Sequence, residues 1–187
     1  MKKVTLILSF VIIYALSAFT ALPPAKLVAK DAHISFYSHT AVEDITANNY
    51  KVTTTLDTDT GELVFSVPMQ GFEFEKALMQ KHYNSKNFLN TKKYPKAKFV
   101  GKITNMGAVD FDTDGSYTAQ ISGEMTIKET TQNFEATAAI TVASSQIELE
   151  SKMDIVLADY GVTFSKGKPS TNIAKEIEVT VKANYKP

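Results

Sequence analysis

The stretch Ser116-Tyr117-Thr118-Ala119-Gln120-Ile121-Ser122-Gly123-Glu124-Met125-Thr126-Ile127-Lys128 alternates without a break. Tyr117, Ala119, Ile121, Gly123, Met125 and Ile127 fall on one side of an extended chain, and Ser116, Thr118, Gln120, Ser122, Glu124, Thr126 and Lys128 on the other. A period of two sends successive side chains to opposite faces, so the segment predicts a long β-strand with one dry and one wet face. Gly61 to Gln70 repeats the pattern, with Leu63, Phe65, Val67 and Met69 set against Glu62, Ser66 and Gln70. It recurs in Phe134 to Val142, Ile147 to Leu157 and Ile177 to Tyr185. Further strands are predicted at His33 to Ser38, Tyr50 to Leu56 and Ala97 to Met106, which makes about eight at the spacing of a sandwich or barrel.

Turn residues fall between the strands. Asp57-Thr58-Asp59-Thr60-Gly61 and Asp110 to Gly115 combine short polar side chains with glycine and predict hairpin loops. Phe74 to Tyr83 breaks the alternation: Phe74, Leu78 and Met79 have helical spacing, and Glu75, Lys76 and Lys81 supply a wet face, so one short helix is expected there. Long antiparallel strands must hide their edges, and closure into a barrel removes the edges altogether. Several inward positions are small, namely Ala119, Gly123, Ala136, Ala138, Ser151 and Ala183, beside bulky Phe65, Tyr117 and Phe134. Such a mixture either leaves a ligand-sized cavity or lets large side chains interdigitate over small ones.

The chain opens with Met1-Lys2-Lys3 and an apolar run from Val4 to Phe19, interrupted by Thr5, Ser9 and Ser17. That run falls short of the roughly 20 apolar residues of a spanning helix. It reads as a signal peptide over residues 1–21, cut after Thr20 or Ala21 and followed by a single domain over 22–187, the alternative being an uncleaved N-terminal anchor. The mature chain is then expected to have no stable membrane insertion. With no cysteine, neither a lipidated thiol nor a disulfide is available. The 20 basic residues, all lysine, balance 20 acidic ones. Nucleic acid is therefore not an expected partner, since such binders concentrate positive charge.

Candidate chemistry is sparse. His33 and His39 share a face in phase but lie about 20 Å apart on an extended strand, too far to bind one metal. His82 falls on the predicted helix. No serine stands in a Gly-x-Ser-x-Gly context. Asp110, Asp112 and Asp114 begin like a calcium loop, but the twelfth position is Ile121 where a bidentate glutamate is needed. Glu43-Asp44 and Glu148-Glu150 read as solvated acidic pairs. No metal and no catalytic residue is expected.

The order of motifs is more informative. Ser38-His39-Thr40, Gly61-Glu62-Leu63 and Phe72-Glu73-Phe74 lead into Leu78-Met79-Gln80-Lys81-His82; Tyr94-Pro95-Lys96-Ala97-Lys98-Phe99, Gly123-Glu124-Met125-Thr126-Ile127 and Asp159-Tyr160-Gly161-Val162 follow. Together they resemble the YceI-like family from about Leu27 to Tyr185, most specifically from Met69 to Phe99. The resemblance implies an all-β fold, an about eight-stranded antiparallel extended lipocalin-like barrel with one short helix. It also implies a periplasmic or secreted location and an apolar tunnel for a polyisoprenoid or acyl chain. The function expected is carriage, storage or sequestration of that lipid, with no enzymatic step and no cofactor beyond the lipid itself. A homodimer is compatible with this reading. The alternatives are an enzyme on an isoprenoid or fatty chain, with His82 or Asp159 as acid or base, and a solid-barrel stress or adhesion module. On the analogy Met69, Phe72, Phe74, Met79, His82 and Phe99 surround the tunnel or its mouth, and inward Phe65, Tyr117, Ala119, Ile121 and Ala136 complete the ligand-binding set. Two residues depart from the family pattern. Leu157 stands where many members carry arginine, and Glu129 stands at the second glycine of Gly-x-Leu-Thr-Ile-x-Gly. A chain without arginine lacks the side chain best matched to phosphate, so a neutral or weakly acidic lipid head is expected.

Overall fold

Alternation sets a strand in every segment where the sequence places one, but those expected at His33 to Ser38 and Tyr50 to Leu56 begin earlier, at Lys26 and Asp44, and the one expected over Ala97 to Met106 ends at Ile103. A computed structural model describes residues 26–163 and 174–186; the expected leader lies outside the described residues. The elements are β1 (Lys26–His39), β2 (Asp44–Asp57), β3 (Glu62–Pro68), β4 (Glu73–Phe74), α1 (Ala77–Asn84), β5 (Lys96–Ile103), β6 (Gly115–Ile127), β7 (Thr130–Ala143), β8 (Gln146–Val156) and β9 (Glu176–Tyr185). All pairings are antiparallel, in the spatial order β1-β9-β8-β7-β6-β5-β3-β2, and β2 pairs back with β1 to close an eight-stranded barrel. The two-residue β4 adds to β2 through Ala47↔Phe74 and Asn48↔Glu73.

The hairpins show how local chemistry turns the chain. Asp57 accepts hydrogen bonds from the Thr60 and Asp59 amides at 2.8 and 3.1 Å, and Gly61 closes the turn at φ +73°. The bond from the Thr60 backbone is the main reason the Asp57 carboxyl is held below its ordinary range. Two tighter hairpins carry no glycine. Lys128 (φ 57°) turns β6 into β7, and Ser144 and Ser145 (φ 51° and 65°) turn β7 into β8. Sequence offers little sign of these, because left-handed positions favour glycine or asparagine. The helix also starts later than its spacing suggests, at Ala77, because Phe74 is held in β4 against β2.

Gly101 and Gly123 face each other across β5 and β6. A Cβ on Gly101 would stand 2.5 Å from the Phe99 ring and 2.9 Å from the Gly123 Cα. The space left by Gly123 is thus filled by Phe99. Asn49, fully buried beside a bulge in the β1/β2 ladder, donates to the Pro68 carbonyl at 2.9 Å and accepts from the Lys51 amide at 3.0 Å. Gly71 lies so close that a Cβ there would be 2.6 Å from Asn49 Oδ1. These contacts fix the short 3-10 turn Met69–Gly71 and aim Phe72 inward.

The barrel is solid at one end. Leu56, Ile103, Ala119, Ile140 and Tyr185 are at most 2% exposed and none borders open space. Tyr185 OH shares a 2.8 Å hydrogen bond with Thr54 Oγ1, and burial pushes its ionisation far above the ordinary phenol value. This floor satisfies its polar groups internally.

Candidate functional site

Above the floor the barrel is hollow. A cavity of about 460 Å³ runs upward from Leu63, Ile121, Leu149 and Ser151 toward α1, within the usual range for small-molecule sites. On β6 it spans Ile121 to Ile127 and on β8 Leu149 to Ile155; six residues cover about 20 Å along a strand, or about 15 Å along the axis at the usual barrel tilt. Its wall is almost wholly apolar. The Ser151 hydroxyl donates to the Thr137 carbonyl at 2.7 Å, and the Ser38 hydroxyl accepts from the Ala174 amide at 3.3 Å. Both hydroxyls therefore have a backbone partner, and the wall offers an occupant mainly apolar contact. Lys98 is the one cation at the wall among the described residues, and strand alternation turns it outward between Ala97 and Phe99.

Helix α1 covers one side of the mouth. Leu78, Met79 and His82 reach the cavity while Leu78 and His82 remain exposed. Two devices pin the helix. Gln80 donates to the Phe72 carbonyl at 2.7 Å and accepts from the Phe74 amide at 3.3 Å, so one side chain acts as an extra strand partner. Tyr83 is buried against Phe74, Phe72, Phe36 and Phe88, with ring centroids 4.9, 5.7, 6.1 and 6.5 Å away. Such edge, tilted and stacked contacts add to area burial. Burial also raises the Tyr83 phenol far above its usual ionisation range, so it stays neutral. The opposite rim is formed by Leu157, Tyr160, Val162 and Ile177. It is shaped by the turn Leu157–Tyr160, which ends at Gly161 in the left-handed conformation.

Of the residues singled out from sequence, Phe65, Met69, Phe72, Phe74, Met79, His82, Phe99, Ile121 and Ala136 border the cavity. Tyr117 and Ala119 do not. The Tyr117 hydroxyl turns to the Thr113 carbonyl at 2.8 Å, and Ala119 is fully enclosed in the floor. The other histidines lie outside the barrel interior: His33 stacks on Tyr50 at 4.4 Å and bonds Asn48 at 2.9 Å. His39 donates to Asp44 at 2.6 Å, the main reason the Asp44 carboxyl is held low.

A family model for the YceI-like domain matches residues 26–185. The chain belongs to the YceI-like family. No curated protein matches the sequence. Among solved structures, the barrel is similar to a polyisoprenoid-binding domain from Saccharophagus degradans (TM-score 0.72, 12% identity, 88% of this chain and 99% of that one). It is also similar to BcnA of Burkholderia cenocepacia (0.68, 15%, 82% and 95%) and to the Campylobacter jejuni YceI protein (0.61, 15%, 80% and 89%). At these identities the likeness is one of fold.

The two departures of this YceI-like chain sit at the rim. Leu157, in the place of the arginine, borders the cavity with an apolar side chain. Glu129 accepts from Tyr94 OH at 2.8 Å, with Lys93 Nζ 3.8 Å away, while Lys128 donates to the Gly161 carbonyl at 3.0 Å. The β6/β7 hairpin is thereby tied to both neighbouring loops. Sequence reading missed Phe36 and Tyr83 as site residues. Phe36 alternates with Ile34 and Ser38 on the inward face of β1, and Tyr83 is four residues after Met79 on α1, so period alone could have found both.

Proposed function

We propose that this YceI-like barrel binds an elongated apolar lipid, an isoprenoid or acyl chain, and carries, stores or sequesters it unchanged in the periplasm or outside the cell. The observation that carries the reading is the long cavity with an apolar wall and no unsatisfied buried side-chain polar atom among the described residues. A site of this kind rewards length, because each buried methylene contributes about 0.8 kcal/mol with no directional partner. The polyisoprenoid-binding domain of like fold supports it. The short apolar leader with Lys2 and Lys3 supports export. A binding role is favoured over catalysis because Ser38 and Ser151 take part in structural bonds, Asp159 does not border the cavity, and His82, at its exposed mouth, is joined there by no carboxylate among the described residues.

The test is mass spectrometry of organic extracts from protein purified from its native host, together with the intact mass of the chain. The expected result is one class of long-chain lipid in near-stoichiometric amount and a mature chain beginning near Leu22. Protein that yields no lipid, and takes up none when offered isoprenoid alcohols and fatty acids, overturns the reading.

A further inference from the structure

β7 and β8 stop pairing halfway up the barrel. Their register runs from Ala143↔Gln146 to Ala138↔Ser151 and ends there. Yet toward the mouth β7 extends as far as Thr130, paired with β6, and β8 as far as Val156, paired with β9. A continued ladder would set Glu135 opposite Asp154, and like charges directly opposite disfavour pairing. Ser151 marks the fork, its hydroxyl occupying the Thr137 carbonyl that a further rung would use.

The split is lined by polar as well as apolar side chains, Val156 among the latter. It holds a polar recess of about 410 Å³ bordered by Gln132, Asn133, Asp154 and Asp159, and the recess shares Phe134, Ile155 and Tyr160 with the apolar cavity. The same three side chains line both spaces, so the recess lies directly against the apolar cavity across the unpaired stretch of wall. We propose that this split is a lateral opening where the polar head of the bound lipid leaves the barrel, and that the head it takes is a hydrogen-bond donor, a hydroxyl or an amine.

This rests on the container reading above and adds the head-group class. The residues of the recess are rich in acceptors: two exposed carboxylates and the Asn133 amide oxygen. Gln132 has committed its Nε2 to the Asp159 carbonyl at 3.1 Å, which leaves its Oε1 to accept. No cation borders the recess, and neither Asp154 nor Asp159 forms an ion pair among the described residues. Among the described residues, a phosphate brought there would meet two carboxylates and no cation at the recess, whereas a hydroxyl or ammonium finds partners on each side.

The experiment measures binding of hexadecylamine, hexadecanol and hexadecyl phosphate, which share one chain, to the delipidated mature protein at low salt. The amine is expected to bind tightest and the phosphate weakest, with a ratio of about tenfold or more that shrinks as salt screens the carboxylates. The double variant D154N/D159N should bring amine and phosphate within about threefold of each other and leave hexadecanol binding unchanged. Asn133→Lys, a second variant on the same wall, should move the preference toward the phosphate. Phosphate binding as tight as amine in the wild type, or a full preference surviving in D154N/D159N, overturns the subsite. Equal affinity for all three heads removes the subsite and leaves the container standing. Failure of all three to bind removes both.

Discussion

Ala119 and Ala136 lie two rungs of alternation apart on neighbouring strands, yet one is in the floor and the other faces the cavity, so the same substitution should act oppositely at each. Ala119 is 0% exposed and borders no open space. A phenyl ring there must displace packed neighbours, at about 1 to 3 kcal/mol. For a domain of this size each kcal/mol shifts the melting temperature by roughly 2 to 4 °C, so A119F should melt roughly 2 to 12 °C lower. Ala136 borders the 460 Å³ cavity. A ring there enters space otherwise open to ligand, and its burial gains up to about 1.5 to 3 kcal/mol before rotamer losses. A136F should therefore keep or raise the melting temperature of delipidated protein while losing lipid uptake. The assay is thermal unfolding of delipidated wild type and both variants, paired with uptake of a long-chain lipid. If A136F is destabilised as much as A119F, the upper barrel is packed and the cavity is not a container.

Replacing Gln80 by alanine leaves the Phe72 carbonyl and Phe74 amide without their partner. At about 0.5 to 1.5 kcal/mol per net hydrogen bond, α1 should exchange its amides faster and bound lipid should dissociate several-fold faster; unchanged exchange over residues 77–84 would show that Tyr83 alone pins the helix. Ser144→Asn with Ser145→Gly should stabilise the β7/β8 hairpin by about 1 to 2 kcal/mol, because both positions are left-handed, read as a higher denaturant midpoint. Asp57 is held low by amide bonds, so its contribution is complete above the ordinary carboxylate pKa and is lost as pH falls through the depressed folded value. The stability gap between wild type and D57A should thus be largest at neutral pH and vanish in acid, and a gap independent of pH would show that the carboxylate charge is not what caps the turn.

Period-two alternation carried most of the fold, because a one-residue slip would expose a whole apolar face. It located β6, β8 and β9 to within a residue at either end, but began β7 four residues late. What it could not give was strand pairing. Phe134 and Ile155 read as ordinary inward residues of two strands, and only the register shows that their strands part above Ala138 and Ser151. The same limit applies to the small residues. Ala119, Gly123 and Ala136 look alike in sequence, but one is sealed in the floor, one is covered by the Phe99 ring and one faces open space. Bulk depends on what crosses from other strands, which alternation does not encode. The two glycine-free hairpins were silent for another reason: Lys128 and Ser144-Ser145 adopt left-handed φ against their own preference, with the flanking ladders holding them there.

A barrel that is solid below and hollow above links ligand and stability. Removing packed side chains from a core costs about 24 cal/mol per Å³ of cavity, so a dry void of 460 Å³ would cost about 11 kcal/mol, as much as the whole stability of an ordinary domain. The mouth admits water, which makes this an upper bound, but apolar walls reward that water poorly. On the proposed function a lipid chain would restore the missing contacts and, binding only the folded state, add stability in proportion to the logarithm of its concentration over its dissociation constant. At a hundredfold excess over that constant the gain is about 2.7 kcal/mol, or roughly 5 to 11 °C in melting temperature. The floor, with Tyr185, Leu56 and Ile140 fully buried, contains no such void and keeps its contacts when lipid is removed. Delipidation should therefore lower the melting temperature and speed amide exchange in β5, α1 and the upper parts of β7 and β8, leaving the Thr54–Tyr185 end protected. Uniform loosening of both ends on delipidation would show that the cavity is not the seat of the stabilisation.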